Sequence, residues 1–282
     1  MDHKQRVINY YDATHIDYRA LWSGSVARAV HFGLYDEEAR THPQALIRMN
    51  AFLAEAVQIS SIDKVLDAGC GYGGSAMWLA EKYGCSVTGV TVSPLQVEKG
   101  HKYIGERQLE NKVAITEGDY GYLSFPENTF SVYWALESWV HAANRKEVCS
   151  EAYRVLQPGG RIVIAEYTLR DTPALNQSEK VYLQPWLDGW AMPSLLTTQQ
   201  MRGVLSEAGF EDIKIVDITE QVKPSLRRLE ILSILNYPIA LFIAPFFFRK
   251  ERVENYWASW RQIQALKHGI WRYSVITARK KG

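Results

Sequence analysis

The stretch that decides the fold reads Lys64-Val65-Leu66-Asp67-Ala68-Gly69-Cys70-Gly71-Tyr72-Gly73-Gly74. Val65 and Leu66 form a short apolar run that ends in Asp67, and glycines follow at 69, 71, 73 and 74. Beyond them Ala76, Leu79, Ala80 and Tyr83 recur at helical spacing. A strand, a tight turn and a helix in that order open a nucleotide-binding α/β unit. Glycine suits the turn because a ligand can approach the backbone where a Cβ would collide. The unpaired N–H groups at the helix start then favour acceptor atoms of that ligand.

Two ligand classes fit the loop alone. Gly69, Gly71 and Gly74 satisfy the G-x-G-x-x-G spacing of a dinucleotide site. Asp67 points elsewhere: a diphosphate would meet its carboxylate, whereas an ammonium, such as the methionine end of S-adenosylmethionine, would be attracted. The second strand ends Val90-Thr91-Val92-Ser93, with no acid about 20 residues on, where NAD sites hold the ribose.

Residues 65–73 resemble the first motif of class I S-adenosylmethionine-dependent methyltransferases. Later motifs follow in that family's order: Glu117-Gly118-Asp119, then residues 130–137, then Arg154-Val155-Leu156-Gln157-Pro158-Gly159-Gly160. Within the superfamily the chain most resembles small-molecule enzymes of the tocopherol and sterol type. Asn9-Tyr10-Tyr11-Asp12, Val30-His31-Phe32-Gly33, Thr91-Val92-Ser93-Pro94 and Leu136-Glu137-Ser138 carry that likeness. The core resemblance covers about residues 60–168. It implies an α/β, Rossmann-like seven-stranded sheet whose last strand is antiparallel, S-adenosylmethionine as cofactor, and a small, largely apolar acceptor such as an isoprenoid, prenylated quinone or sterol-like compound. Asp67, Gly69, Gly71, Gly73 and Leu136 are its expected cofactor-binding residues, with Asp119 accepting from the adenine amino group and Tyr120 packing on the ring. Thr91 and Ser93 stand where many relatives carry a ribose-binding acid, and Gln96 could assist from the next helical turn.

Glu137 and His141 lie just past a central strand, where the methyl group should sit. Methyl transfer from a sulfonium needs proximity, alignment and exclusion of water. If carbon is the acceptor, a base must also remove a proton, and Glu137 and His141 are the candidates for that step or for stabilising the cation. The resemblance adds Tyr11, from an N-terminal segment that closes over the cofactor. Two other readings stay open: N- or O-methylation of a polar metabolite, and a cofactor-binding protein that uses the cavity for cyclisation or binding without methyl transfer.

The 282 residues carry 32 lysines and arginines against 31 acids, so no net basic field favours nucleic acid. Cys70, Cys85 and Cys149 show no metal spacing and suit a reducing, cytoplasmic setting. Residues 1–6 lead into no apolar core, so a signal peptide is not expected. The expected layout is a helical N-terminal lid over 1–60, a core over 61–218 and 269–282, and a helical cap over 219–268 between strands six and seven.

Local patterns set the expected elements. Val7, Tyr10, Tyr11, Thr14, Tyr18 and Leu21 predict a first helix, and Thr41 caps a second. Strands are expected at 86–91, 112–116, 130–136, 161–166, 212–218 and 271–278. Asn144 caps a helix that Pro158-Gly159-Gly160 should stop, Thr197 starts another, and 168–196 reads as irregular. The apolar run 231–248 is interrupted by Pro238, Pro245 and Asn236, which argues against a membrane span. It is expected to wall the acceptor pocket, the alternative being a surface for docking on a membrane or on a second copy in a homo-oligomer.

Overall fold

The computed structural model describes residues 2–17, 22, 28, 30–235 and 248–282. The apolar run at 65–66 forms the centre of β1 (Lys64–Ala68), which pairs in parallel with β2 (Ser86–Thr91) and β4 (Phe130–Leu136). With β3 (Val113–Glu117), β5 (Leu156–Leu169), β6 (Phe210–Asp217) and β7 (Trp271–Lys280), they make one sheet in the order β3-β2-β1-β4-β5-β7-β6. β7 is antiparallel to both of its neighbours, as the resemblance implies. Strand order reverses between β1 and β4, so a crevice opens there at the carboxyl ends.

Both faces of the sheet are buried, and the period of two divides its side chains between them. Val65, Val132 and Val163 face one apolar layer, with Met49 and Leu53 of α2 (His42–Ala56) and Met77 and Leu79 of α3 (Gly74–Tyr83). Leu66, Tyr133 and Ile162 face the other, with Val148 and Ala152 of α5 (Arg145–Val155) and Leu205 of α7 (Thr198–Glu207). Helix α4 (Pro94–Glu106) starts where the proline places it.

Several boundaries differ from expectation. β3 and β6 are displaced towards 113 and 210, and β7 runs on to Lys280. Helix α5 ends at Val155, ahead of Pro158-Gly159-Gly160. Those residues lie inside β5, where the pairing with β4 shifts register between Phe130 and Val132. Residues 168–196 are not irregular: β5 continues to Leu169, and α6 (Gln177–Gly189) follows with Pro185 inside it. Asn176 and Glu179 form a reciprocal capping box that starts α6 despite that proline.

The N-terminal helix is α1 (His3–Asp17); Tyr18 and Leu21 lie outside the described residues. Between β6 and β7 run α8 (Thr219–Leu235) and α9 (Lys250–Lys267). Arg252 of α9 donates to Asp17 at 2.7 Å and Tyr10 donates to Asn255 at 3.2 Å, which fastens α1 to this region. Residues 236–247, most of the apolar run, lie outside the described residues. No helix among the described residues is long and apolar enough to cross a membrane.

Candidate active site

The carboxyl ends of β1, β2 and β4 open onto a cavity of about 270 Å³, closed on one side by α1. β1 delivers Asp67 to it. This side chain is 2 % exposed, and its Oδ2 has no hydrogen-bond partner among the described residues. Burial pushes its pKa up to about 7. A buried carboxylate with an unmatched oxygen suits a ligand ammonium, which restores the charged form.

The turn after Asp67 leaves backbone exposed. Gly69 has φ +85°, and a Cβ there would fall 2.3 Å from that of Ser138. Gly71 lines the cavity with open space where a side chain would stand. Gly73 does not line it. At φ +79° it precedes α3, and a Cβ would strike Ile115 at 2.5 Å, so its work is in the turn. The orphaned Asp67 oxygen and the open backbone cradle fit S-adenosylmethionine.

The ribose candidates separate. Thr91 and Gln96 line the cavity and hydrogen-bond to each other at 2.5 Å. Ser93 does not line it. Its hydroxyl donates to Asp12 at 2.9 Å and accepts from the Gln96 amide at 3.3 Å, capping α4. Asp119, Tyr120 and Leu136 all line the cavity. Asp119 accepts from the Gly121 amide at 2.8 Å, and the Tyr120 hydroxyl donates to the Ser138 carbonyl at 2.7 Å. Asp119→Ala should weaken cofactor binding by about 1–3 kcal/mol through lost hydrogen bonding. Calorimetry with S-adenosylhomocysteine tests this, and unchanged affinity would place the adenine elsewhere.

Glu137 leaves β4 with φ +52°, a conformation rare for a residue with a side chain. Its carboxylate collects three donors from distant elements. The Phe32 amide and the Tyr273 hydroxyl each reach Oε1 at 2.7 Å, and Tyr167 donates to Oε2. Burial raises its pKa to about 7 against the pull of these bonds.

His141 sits in a single 3₁₀ turn (Trp139–His141). Its Nδ1 lies 3.3 Å from the Ala191 carbonyl, which only accepts, so Nδ1 carries the proton. Nε2 therefore accepts from the Tyr11 hydroxyl at 2.8 Å. Burial, with Arg145 and His3 nearby, lowers the pKa to about 4 although the Ala191 bond opposes this. The ring is thus neutral at pH 7. Arg145 secures the turn by donating to the carbonyls of Ala142, Val140 (3.0 Å) and Ser194 (3.1 Å).

The structure brings Glu137, His141 and Tyr11 to one cavity with Asp67, Gly69, Gly71, Thr91, Gln96, Asp119, Tyr120 and Leu136. Sequence reasoning missed His3, Lys4 and Arg28 there. His3 donates to the His141 carbonyl at 2.7 Å. The i, i+4, i+8 spacing of His3, Val7 and Tyr11 on one helix face was the available signal. No group of acids, histidines and cysteines among the described residues could hold a metal.

A family described as "Methyltransferase domain" matches residues 66–164. The chain is 31% identical over 223 residues to Methyltransferase GfsG of Streptomyces halstedii, covering 78% of each sequence. It is 32% identical over 234 residues to a probable chloroplastic tocopherol O-methyltransferase of Oryza sativa subsp. japonica, covering 78% of this chain and 64% of that one. Its fold is similar to the crystal structure of the [4+2]-cyclase SpnF, with a TM-score of 0.82 and 24% identity over 99% of this chain and 96% of that one.

Proposed function

The chain belongs to the S-adenosylmethionine-dependent methyltransferases of small molecules, and from that premise we propose that its acceptor is uncharged and largely apolar, of the isoprenoid, prenylated quinone or sterol-like kind. One observation carries this reading. The ionisable groups buried deepest at the acceptor end are all displaced towards neutrality: His31 and His141 to about 4, and Glu137 to about 7. Apart from Lys4 and Arg28, which also line the cavity, the chamber offers no fixed cation among the described residues to a phosphate or carboxylate, and Arg28 is already paired with Glu106 at 3.1 Å. Desolvating a charged acceptor there would go uncompensated.

The cofactor supplies a methyl group on a sulfonium, an electrophile that needs no covalent help from the protein. Asp67 would hold the ammonium, Gly69 and Gly71 would admit the ligand to the backbone, and Asp119 would accept from the adenine amino group. Thr91 and Gln96 would meet the ribose; Ser93, committed to Asp12, would support them from behind. Helix α1 would exclude water. In its ionised form Glu137 would take the proton released when a carbon centre is methylated. Tyr11 would keep its hydroxyl proton while donating it in a hydrogen bond to His141 Nε2, the direction that the His141 tautomer allows, which fixes its oxygen at the cavity wall.

Incubation with methyl-labelled S-adenosylmethionine and a panel of prenyl, chromanol and sterol acceptors tests the reading. Labelled product should form with an apolar member. Labelling confined to sarcosine, choline-like amines or organic acids would sink it.

A further inference from the structure

Besides His3 and His141 the cavity holds a third imidazole, whose hydrogen bonding differs from that of His141. His31 is 5 % exposed and lines the cavity. Its Nδ1 lies 2.9 Å from the Phe32 carbonyl. That oxygen only accepts, so Nδ1 carries the proton and Nε2 presents a lone pair. Nε2 is buried and has no hydrogen-bond partner among the described residues, whereas His141 Nε2 is engaged by Tyr11. Burial lowers the His31 pKa to about 4, so near neutral pH the ring stays a pure acceptor at Nε2.

The ring is held in place from several sides. The Trp22 indole donates to the His31 carbonyl at 3.0 Å. The next residue's amide is bound to Glu137 at 2.7 Å, and the Phe32 ring packs edge-on against Tyr167. An acceptor atom fixed in this way and left unmatched in a buried wall discriminates strongly, because only a ligand that donates can satisfy it. Ethers, ketones, phosphates and hydrocarbons cannot. Its link to Glu137 places it on the wall where the acceptor would lie.

We propose that His31 is a specificity-determining residue that accepts a hydrogen bond from a hydroxyl group on the methyl acceptor, selecting hydroxylated apolar molecules over their deoxy counterparts. This rests on the apolar-acceptor reading and adds a required functional group to it.

Matched pairs test it: 2,2,5,7,8-pentamethyl-6-chromanol and the corresponding chroman, farnesol and its deoxy hydrocarbon, cholesterol and cholest-5-ene. Binding to the protein loaded with S-adenosylhomocysteine is measured for each, with kcat/KM wherever methyl is transferred. The wild type should favour the hydroxylated member of at least one pair by roughly tenfold or more. His31→Phe should erase that preference while S-adenosylhomocysteine binds as before, which also shows that the variant is folded. His31→Gln, which returns an acceptor oxygen near the Nε2 position, should restore part of it. A preference that survives in His31→Phe, or equal affinity of the wild type for both members of every pair, overturns the proposal and leaves the apolar-acceptor reading standing. Weaker S-adenosylhomocysteine binding by folded His31→Phe, with the pairs unaffected, would assign His31 to the cofactor and also overturn it. Failure of every pair to bind sinks the apolar-acceptor reading itself, and the proposal with it.

Discussion

Asp67→Asn should cost the protein its cofactor, lowering affinity for S-adenosylmethionine on the order of 10²-fold or more, because breaking a buried charge pair costs about 3–5 kcal/mol. The pH dependence is the sharper signature. Without ligand, burial holds the Asp67 pKa at about 7, and a bound ammonium would bring it down. Below pH 7, binding must then expel a proton, so wild-type affinity should fall by about tenfold for each unit of acidification. Above about pH 8 it should fall again as the ligand's own amine loses its proton. Asp67→Asn should remove the acid limb. The unliganded protein should respond in the opposite sense. A carboxyl whose folded pKa is raised from 3.8 to about 7 contributes stability below about pH 4, and that stability is lost as pH rises through 7. The substitution should therefore raise the melting temperature at pH 8. Wild-type affinity that stays flat from pH 5 to 7 would remove Asp67 from the ammonium site.

Glu137→Gln should lower turnover by roughly 10²–10⁴-fold, the usual range for loss of a positioned general base, with S-adenosylhomocysteine affinity within about threefold of wild type. Amide for carboxyl preserves shape and leaves oxygen to accept from Phe32, Tyr167 or Tyr273. What it removes is the ability to gain a proton. Tyr167 and Tyr273 give a graded version of the same test. Tyr167 donates to the carboxylate and holds its pKa down. Tyr167→Phe should consequently move the acid limb of the pH–rate profile upward from about 7. Equal losses in turnover and cofactor affinity would reduce Glu137 to a scaffold residue.

The half of the candidate site around Asp67 was legible because its signal is local. Asp67, Gly69 and Gly71 lie within five residues, and the turn that joins them dictates their chemistry. The half around Glu137 was not. Glu137 could be picked out by its place after β4, but its three donors come from residues 32, 167 and 273, and no spacing announces such an assembly. Ser93 lies outside the cavity lining for a related reason: its hydroxyl caps its own helix and meets Asp12. Helix α6 escaped because Pro185 masks it. The Asn176…Glu179 pair, a start signal of the same kind as the one read correctly at Thr197, outweighs that single internal proline. Element boundaries drifted most at β5, expected over 161–166 and found over Leu156–Leu169, where pairing with β4 shifts register between Phe130 and Val132.

The position of β7 sets an order of events during synthesis. The final strand lies between β5 and β6 and pairs with both, so one edge of β5 has no neighbour until residues beyond 271 have left the ribosome. β1 through β5 can associate earlier, with the Asp67 turn already complete. Tyr273, one of the three donors to Glu137, arrives last. A nascent chain thus completes the Asp67 turn before the donor set of Glu137. Over the interval spent translating 219–270 it exposes an open strand edge, the stage at which S-adenosylmethionine or a chaperone has most to offer it.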